Sequence, residues 1–271
     1  MKHAHKKRWL ILSVLFVALL LGTSGCGGLQ ASSWTGLTLK DEEIYAADLQ
    51  TIQVLNTASG DPQRAYPKNS EDDSPGLFYV APTVEDNYLI AATYAPPRGF
   101  LSQASYLVLR IDLETGEEMW RFAEAKGQYI EAGVISGETF IIGNSDGNVY
   151  ALDVNTGNLK WREPFKTDHR IWAPPLVDGD TLYIGSMDRT LYALNPVDGS
   201  EKWSFSCKGA FASTPVLHEG VLYAGTFDNR VYAIDADEGA ERWRYPPDEA
   251  GDGWFWGSPL VEDGTVYAVD V

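Results

Sequence analysis

Trp120, Trp161, Trp203 and Trp243 stand 41, 42 and 40 residues apart, and each closes the same phrase: LETGEEMW, VNTGNLKW, PVDGSEKW and ADEGAERW. Asp112, Asp153, Asn195 and Asp235 keep step eight residues ahead of them, and Gly116, Gly157, Gly199 and Gly239 four residues ahead. A period near 40 that recurs at three kinds of anchor is the mark of a unit that cannot bury its own faces and must stack on copies of itself. Units of roughly 40 to 50 residues made of four short strands are propeller blades.

One copy shows why the unit is made of strands. In GNVYALDVNTGNLKW, Val149 and Ala151 alternate with Tyr150 and Leu152, so both faces of an extended segment are apolar, the pattern of a sheet buried on both sides. Asp153 can accept hydrogen bonds from backbone two residues on, and Gly157 can take the positive φ of a turn. A hairpin follows, with a return strand predicted to end in Trp161, whose ring would seal the junction between neighbouring sheets. A second hairpin precedes it in APPLVDGDTLYIGS, STPVLHEGVLYAGT and GSPLVEDGTVYAVD, where Pro175, Pro215 and Pro259 stand eight residues before Tyr183, Tyr223 and Tyr267.

Each blade is therefore expected to run through strands A, B, C and D, and the chain to be all-β. Five full units and a partial sixth are expected between residues 36 and 271. The first unit is degenerate, with Asn56 and Gly60 in place but Arg64 where the tryptophan belongs. The second, from about Phe78 to Phe122, carries a long interruption. Val271 aligns with Phe227, so the sixth unit has strands A and B only. An unclosed propeller would leave apolar faces and strand edges bare. The expectation is the front portion of a ring of seven or eight blades.

The first 25 residues have a different character. Lys2, Lys6, Lys7 and Arg8 precede an apolar run from Trp9 to Leu21 and then small residues, the layout of an export signal. Thr23-Ser24-Gly25-Cys26 resembles the bacterial lipoprotein box, which implies cleavage before Cys26, diacylation of its sulfur (palmitate chemistry), a short linker over 26–35 and a membrane-anchored, extracytoplasmic protein. An uncleaved anchor and plain secretion are the alternatives. Two acyl chains would anchor stably where one is marginal.

The whole chain carries 21 basic and 38 acidic residues. Loss of the four basic residues in 1–25 leaves 17 against 38, a net charge of −21, which repels phosphate backbones and anionic headgroups. Nucleic acid is thereby excluded as a partner. With Cys26 acylated, Cys207 is unpaired, so neither a disulfide framework nor a cysteine metal cluster is available. His169 and His218 fall in predicted loops, with no spacing for zinc or a catalytic triad.

The run Ala151-x-Asp153-x-x-Thr156-Gly157-x-x-x-Trp161 resembles the tryptophan-docking repeat of the PQQ-like β-propellers, a family that takes in quinoprotein dehydrogenases and the outer-membrane assembly lipoprotein BamB. The resemblance covers residues 36 to 271. It is strongest in units three to five, while Arg64 and Arg110 depart from the pattern. It implies either a non-catalytic scaffold that binds another envelope protein, in membrane-protein assembly, or a dehydrogenase using PQQ with calcium. The quinoproteins carry an adjacent cysteine pair, absent here, and Asp146, Asp188 and Asp228 repeat at equivalent B–C turns, as structural residues would. The expectation is a protein without catalytic residues, cofactor or metal; a carbohydrate-binding or sensor propeller is a further alternative.

Propeller topology sets the D–A and B–C loops on one rim. Trp172, Phe211, Trp254, Phe255 and Trp256 approach it, as does Tyr129. Unit two adds a B–C insertion with Pro96, Pro97, Arg98 and Phe100, 17 residues from Ala92 to Leu109 where other units use 7. Aromatics with arginine and a stiff turn are the composition of a recognition surface. The competing expectation is that Trp172, Phe211 and Trp256 plug the narrowing channel.

Overall fold

The computed structural model describes residues 36–68, 75–97, 102–248 and 253–270. The leader 1–25, Cys26, the linker to residue 35, Arg98 and Phe100 lie outside them. Among the described residues all regular structure is β.

Blade 1 is formed by Leu37–Lys40, Glu43–Asp48, Thr51–Asn56 and Pro62–Tyr66, antiparallel in that order. Blade 3 has Val134–Ser136, Thr139–Gly143, Asn148–Asp153 and Phe165–Lys166; blade 4 has Leu176–Asp178, Thr181–Gly185, Thr190–Leu194 and Glu201–Ser206. Blade 5 has Val216–His218, Val221–Thr226, Arg230–Asp235 and Glu241–Tyr245, and a two-stranded sheet of Leu260–Glu262 and Thr265–Tyr267 follows as the partial sixth unit. Blade 2 departs from the rule. Its middle strands, Tyr88–Ala95 and Ser105–Asp112, are long, with Glu118–Phe122 outside, and its inner position is split between Leu77–Phe78 and Thr83–Val84, both paired to Tyr88–Ala95. The expected loop insertion is thus partly an elongated hairpin, whose extra length pairs with Leu77–Phe78 and stacks Tyr94 on Tyr106.

The cores lie between blades, because each middle strand is apolar on both faces. Tyr150 and Leu152 turn back to meet Val108, Trp120 and Phe122 of blade 2. Val149 and Ala151 turn forward to Leu182, Ile184 and Leu194 of blade 4. The same division builds a core between blades 1 and 2 around Ile52, Val54, Leu89 and Leu109, and one between blades 4 and 5 around Leu191, Phe211, Leu222 and Tyr232. Threonine hydroxyls tie neighbouring inner segments together: Thr83 donates to the Gly133 carbonyl at 2.8 Å and Thr214 to that of Pro174 at 3.2 Å.

One expected strand is corrected. The return strand of blade 3 does not run through Trp161. It touches the third strand at Leu159, leaves at Trp161, and rejoins at Phe165–Lys166. Phe165 pairs with Val149 where Phe205 pairs with the equivalent Leu191, so two extra residues lie between tryptophan and phenylalanine in blade 3. Pro164, which has no amide to donate, sits in the detour.

Candidate functional site

The repeated residues first form a lock between blades. Each C–D turn is built by its acid or amide: Asp153 Oδ1 accepts the amides of Asn155 and Thr156 at 3.0 and 2.9 Å, and Asp112 Oδ1 those of Glu114 and Thr115 at 3.0 and 2.7 Å. Asp235 repeats this with Asp237 and Glu238, and Asn195 with Val197. Hydrogen bonds from the Thr115 amide and hydroxyl hold the Asp112 carboxyl below its usual range, and those from Arg242 and the Glu238 amide do so for Asp235.

In blades 3, 4 and 5 the glycine that ends the turn is the seat for the tryptophan of the preceding blade. A Cβ on Gly157 would lie 2.6 Å from the Trp120 ring, on Gly199 2.6 Å from Trp161, and on Gly239 2.5 Å from Trp203. The indole N–H donates to the carbonyl one residue past the acid or amide: Trp120 to Val154 at 2.8 Å, Trp161 to Pro196 at 3.1 Å, Trp203 to Ala236 at 3.1 Å. A third contact repeats beside it, as Phe122, Phe165 and Phe205 pack against Tyr150, Tyr192 and Tyr232 of the following blade with ring centroids 5.2, 5.2 and 5.5 Å apart.

Blade 1 makes the lock from other residues, which sequence reasoning missed. Arg64, at the tryptophan position, pairs with Glu43 at 2.7 Å. Two residues on, the Tyr66 hydroxyl donates to the Leu113 carbonyl at 2.6 Å, the role of the indole N–H. Lys68 lays its alkyl chain over Gly116 and donates to the Glu114 carbonyl at 2.9 Å. Arg110 spans the next junction, stacking over Tyr88 at 4.1 Å and donating to Val154 at 3.3 Å.

The rim that was expected to bring D–A and B–C loops together does so. The amides of Lys126 and Asp168, in D–A segments, donate to Asp146 and Asp188 Oδ2 at 2.9 and 3.0 Å. The same oxygens accept the hydroxyls of Tyr150 and Tyr192 at 2.7 and 2.9 Å, and Asp228 accepts that of Tyr232 at 2.9 Å. Burial and the Asp188 carboxylate push the Tyr192 hydroxyl up to about 12. Asn144, Ser186 and Thr226, fully buried just ahead of these aspartates, fasten the turns: Asn144 Oδ1 and Ser186 Oγ accept the amides of Asp146 and Asp188. Their place, in each case directly after Gly143, Gly185 or Gly225, was the signal available in sequence.

The aromatic residues divide by strand parity. Phe211 and Phe255 are buried, in the same row as Phe78, Tyr129 and Ile171, and so form interior packing, not a contact surface. Trp172 and Trp256, one residue further on, face the rim, with ring centroids 6.2 Å apart across the intervening position of Ala212. Phe227 stacks on Trp256 at 5.1 Å and on Trp254 at 5.5 Å, and these two indoles are 40% and 53% exposed. Pro96 and Pro97 are at the end of the elongated hairpin of blade 2, away from this cluster in the chain; Arg98 and Phe100 fall outside the described residues.

Asp146, Asp188 and Asp228 are each engaged by a turn and a tyrosine hydroxyl, and no group of three or more His, Cys, Asp or Glu among the described residues is placed to hold a metal. Cys207 is half-buried, donates to the Gly209 carbonyl at 3.1 Å, and burial pushes its thiol up to about 12, far from the thiolate that reactive cysteines use. His169 and His218 are exposed.

No curated protein sequence matches the chain. Among solved structures, the crystal structure of BamB from Moraxella catarrhalis superposes with a TM-score of 0.68 at 18% identity, over 87% of this chain and 69% of that one. The computationally designed protein Ika8 superposes with a TM-score of 0.53 at 13% identity, over 86% of this chain and 92% of its own. These likenesses establish the propeller fold. The family model described as outer membrane protein assembly factor BamB matches residues 69–173 and again 166–270, three quarters of the sequence between them. The chain belongs to that family of PQQ-like propellers.

Proposed function

We propose that the chain is a non-catalytic, protein-binding scaffold of the bacterial cell envelope, anchored by a lipidated Cys26 and serving in membrane-protein assembly. Membership of a family described by an outer-membrane assembly factor supports the place and the class of work. The observation that carries the binding role is the ledge of Trp254, Phe227 and Trp256. Interfaces concentrate aromatic anchors in this way. The plugging reading of Trp172, Phe211 and Trp256 accounts for Phe211, which is interior; it does not account for Trp254 and Trp256, which are 53% and 40% exposed beside a buried row.

The test is co-purification of an envelope protein from native membranes after crosslinking, with the wild-type chain, a Trp254→Ala/Trp256→Ala double variant and a variant lacking residues 96–103. Loss of one and the same partner in the double variant, at unchanged thermal midpoint, supports the reading; retention in both variants refutes the rim. Addition of PQQ with Ca²⁺ is expected to leave the quinone absorbance unchanged, and a saturable change would favour the dehydrogenase reading. A Cys26→Ser variant is expected to leave the membrane fraction and to lose palmitate label.

A further inference from the structure

Residues 1–35 join the propeller at Gly36, and Gly36 lies at the rim of the D–A and B–C loops. Its carbonyl accepts the Ala47 amide at 3.0 Å, and a Cβ on it would collide with the Ala81 backbone, so the entering strand is pressed onto the inner segment of blade 2. Thr38 adds to that contact by donating to the Pro82 carbonyl. The elongated hairpin stands beside this point. In blades 3 and 4 the middle strands stop pairing at Gly143 with Val149 and at Gly185 with Leu191. In blade 2 the equivalent pair is Ala92 with Val108, and Thr93 with Leu107, Tyr94 with Tyr106 and Ala95 with Ser105 follow it. Three further pairs carry the hairpin about 10 Å further out.

The extension is uncharged. Residues 75–84, 88–97 and 102–109 hold no Asp, Glu, Lys or Arg. Tyr94 stacks on Tyr106, and Pro96 and Pro97 are exposed, with no amide N–H to desolvate. Blade 2 keeps its acids at the opposite end: Glu85 and Asp86 in the A–B turn, paired with Lys40, and Glu114 and Glu117 in the C–D turn. The strand Tyr88–Ala95 separates the two ends by roughly 23 Å, nearly three times the Debye length of about 8 Å at physiological salt. Those carboxylates are therefore screened from a surface that meets the hairpin.

We propose that the elongated hairpin of blade 2 is a foot that rests in the headgroup layer of the membrane to which the chain is anchored. The inference rests on the reading of Cys26 as the lipidated residue. Ten residues separate Cys26 from Gly36, a leash of at most about 35 Å that averages about 18 Å as a coil. The rim beside Gly36 is thereby kept close to the bilayer, and the hairpin, which stands above the B–C turns of blades 3 and 4, meets lipid before they do. Tyrosine rings with wet hydroxyls, next to uncharged prolines, suit the boundary between headgroups and hydrocarbon. A protein partner would call for charged side chains to fix its register, and the described part of the extension has none.

The test places the full-length protein, purified from membranes with its anchor, in vesicles of phosphatidylcholine and phosphatidylglycerol. It carries one nitrobenzoxadiazole label, at Pro96→Cys or, as the control, at Asp180→Cys in the A–B turn of blade 4; Cys207 is half-buried with its thiol pushed up to about 12 and does not compete for the label. Flotation reads the anchor, and quenching by lipids spin-labelled in the headgroup reads the foot. Quenching at position 96 is expected to exceed that at position 180 by about twofold or more. Adding Pro97→Glu is expected to remove about half of the quenching at 96 or more, with flotation and thermal midpoint unchanged. Flotation with equal quenching at the two positions overturns the foot and leaves the anchor standing. Failure to float overturns both. Protection of the label at 96 in native membranes but not in lipid vesicles would assign the hairpin to a protein and likewise overturn the proposal.

Discussion

Trp161→Ala is the perturbation that most directly measures a lock. The indole is 2% exposed, lies on Gly199 and donates to the Pro196 carbonyl at 3.1 Å. Truncating a buried tryptophan costs about 3–5 kcal/mol, of which about 1 kcal/mol is the lost hydrogen bond. The detour after Trp161 gives the ring little backbone neighbour to collapse onto, so the upper half of that range is expected. Trp161→Phe keeps much of the stacking on Gly199 and loses the N–H, for about 1–2 kcal/mol. Trp243→Ala removes a ring that is 41% exposed and is expected to cost about 1 kcal/mol. Urea unfolding followed by circular dichroism resolves these: with a slope of about 2–3 kcal/mol/M, the Trp161→Ala midpoint falls by roughly 1–2 M and the Trp243→Ala midpoint by less than about 0.5 M. Equal midpoints for the two alanine variants would show that the indole acts within its own blade and would refute the interblade account.

Tyr66→Phe removes the hydroxyl that replaces an indole N–H in blade 1, and about 1–1.5 kcal/mol should be lost, while Tyr66→Trp should not restore it because the donor leaves the reach of the Leu113 carbonyl; urea midpoints check both. Gly157→Val combines a φ of +73° with a Cβ 2.6 Å from the Trp120 ring and should cost more than Gly60→Val, where only the backbone is strained; the two midpoints give the ranking. Tyr45, Tyr192 and Cys207 are all pushed up to about 12 in the fold, chiefly by burial, so the unfolded chain sheds these protons first. The stability from keeping them neutral is full below about pH 9 and is lost between about pH 9 and 12; midpoints that rise over that window would contradict the burial described. Cys207 should react with iodoacetamide at pH 8 only at the rate of unfolding, which time-resolved mass measurement can follow.

Much of this was legible in advance because the lock repeats at fixed spacing: Trp120, Gly157 and their successors announce both the period and the blade junctions. What escaped was whatever breaks that spacing. In blade 1 the lock moved two and four residues downstream, to Tyr66 and Lys68, and changed chemistry, so a search at position 64 found only an arginine, which the structure pairs with Glu43. In blade 3 the two extra residues after Trp161 were countable, since Ile171 follows it by ten positions and Phe211 follows Trp203 by eight. On the rim, residue type was a poor guide and parity a good one. Phe211 and Phe255 share a row with Ile171, and Trp256 shares one with Trp172, so alternation alone separates the interior from the ledge.

The lock never closes within one repeat: the indole belongs to one unit and its glycine seat to the next. A duplicated stretch of about 40 residues, cut anywhere, therefore inherits a plug at one end and a socket at the other. Such a module can be inserted between two siblings that share the tryptophan lock without new contacts having to evolve, so the number of blades can change by copying alone while those junctions stay the same.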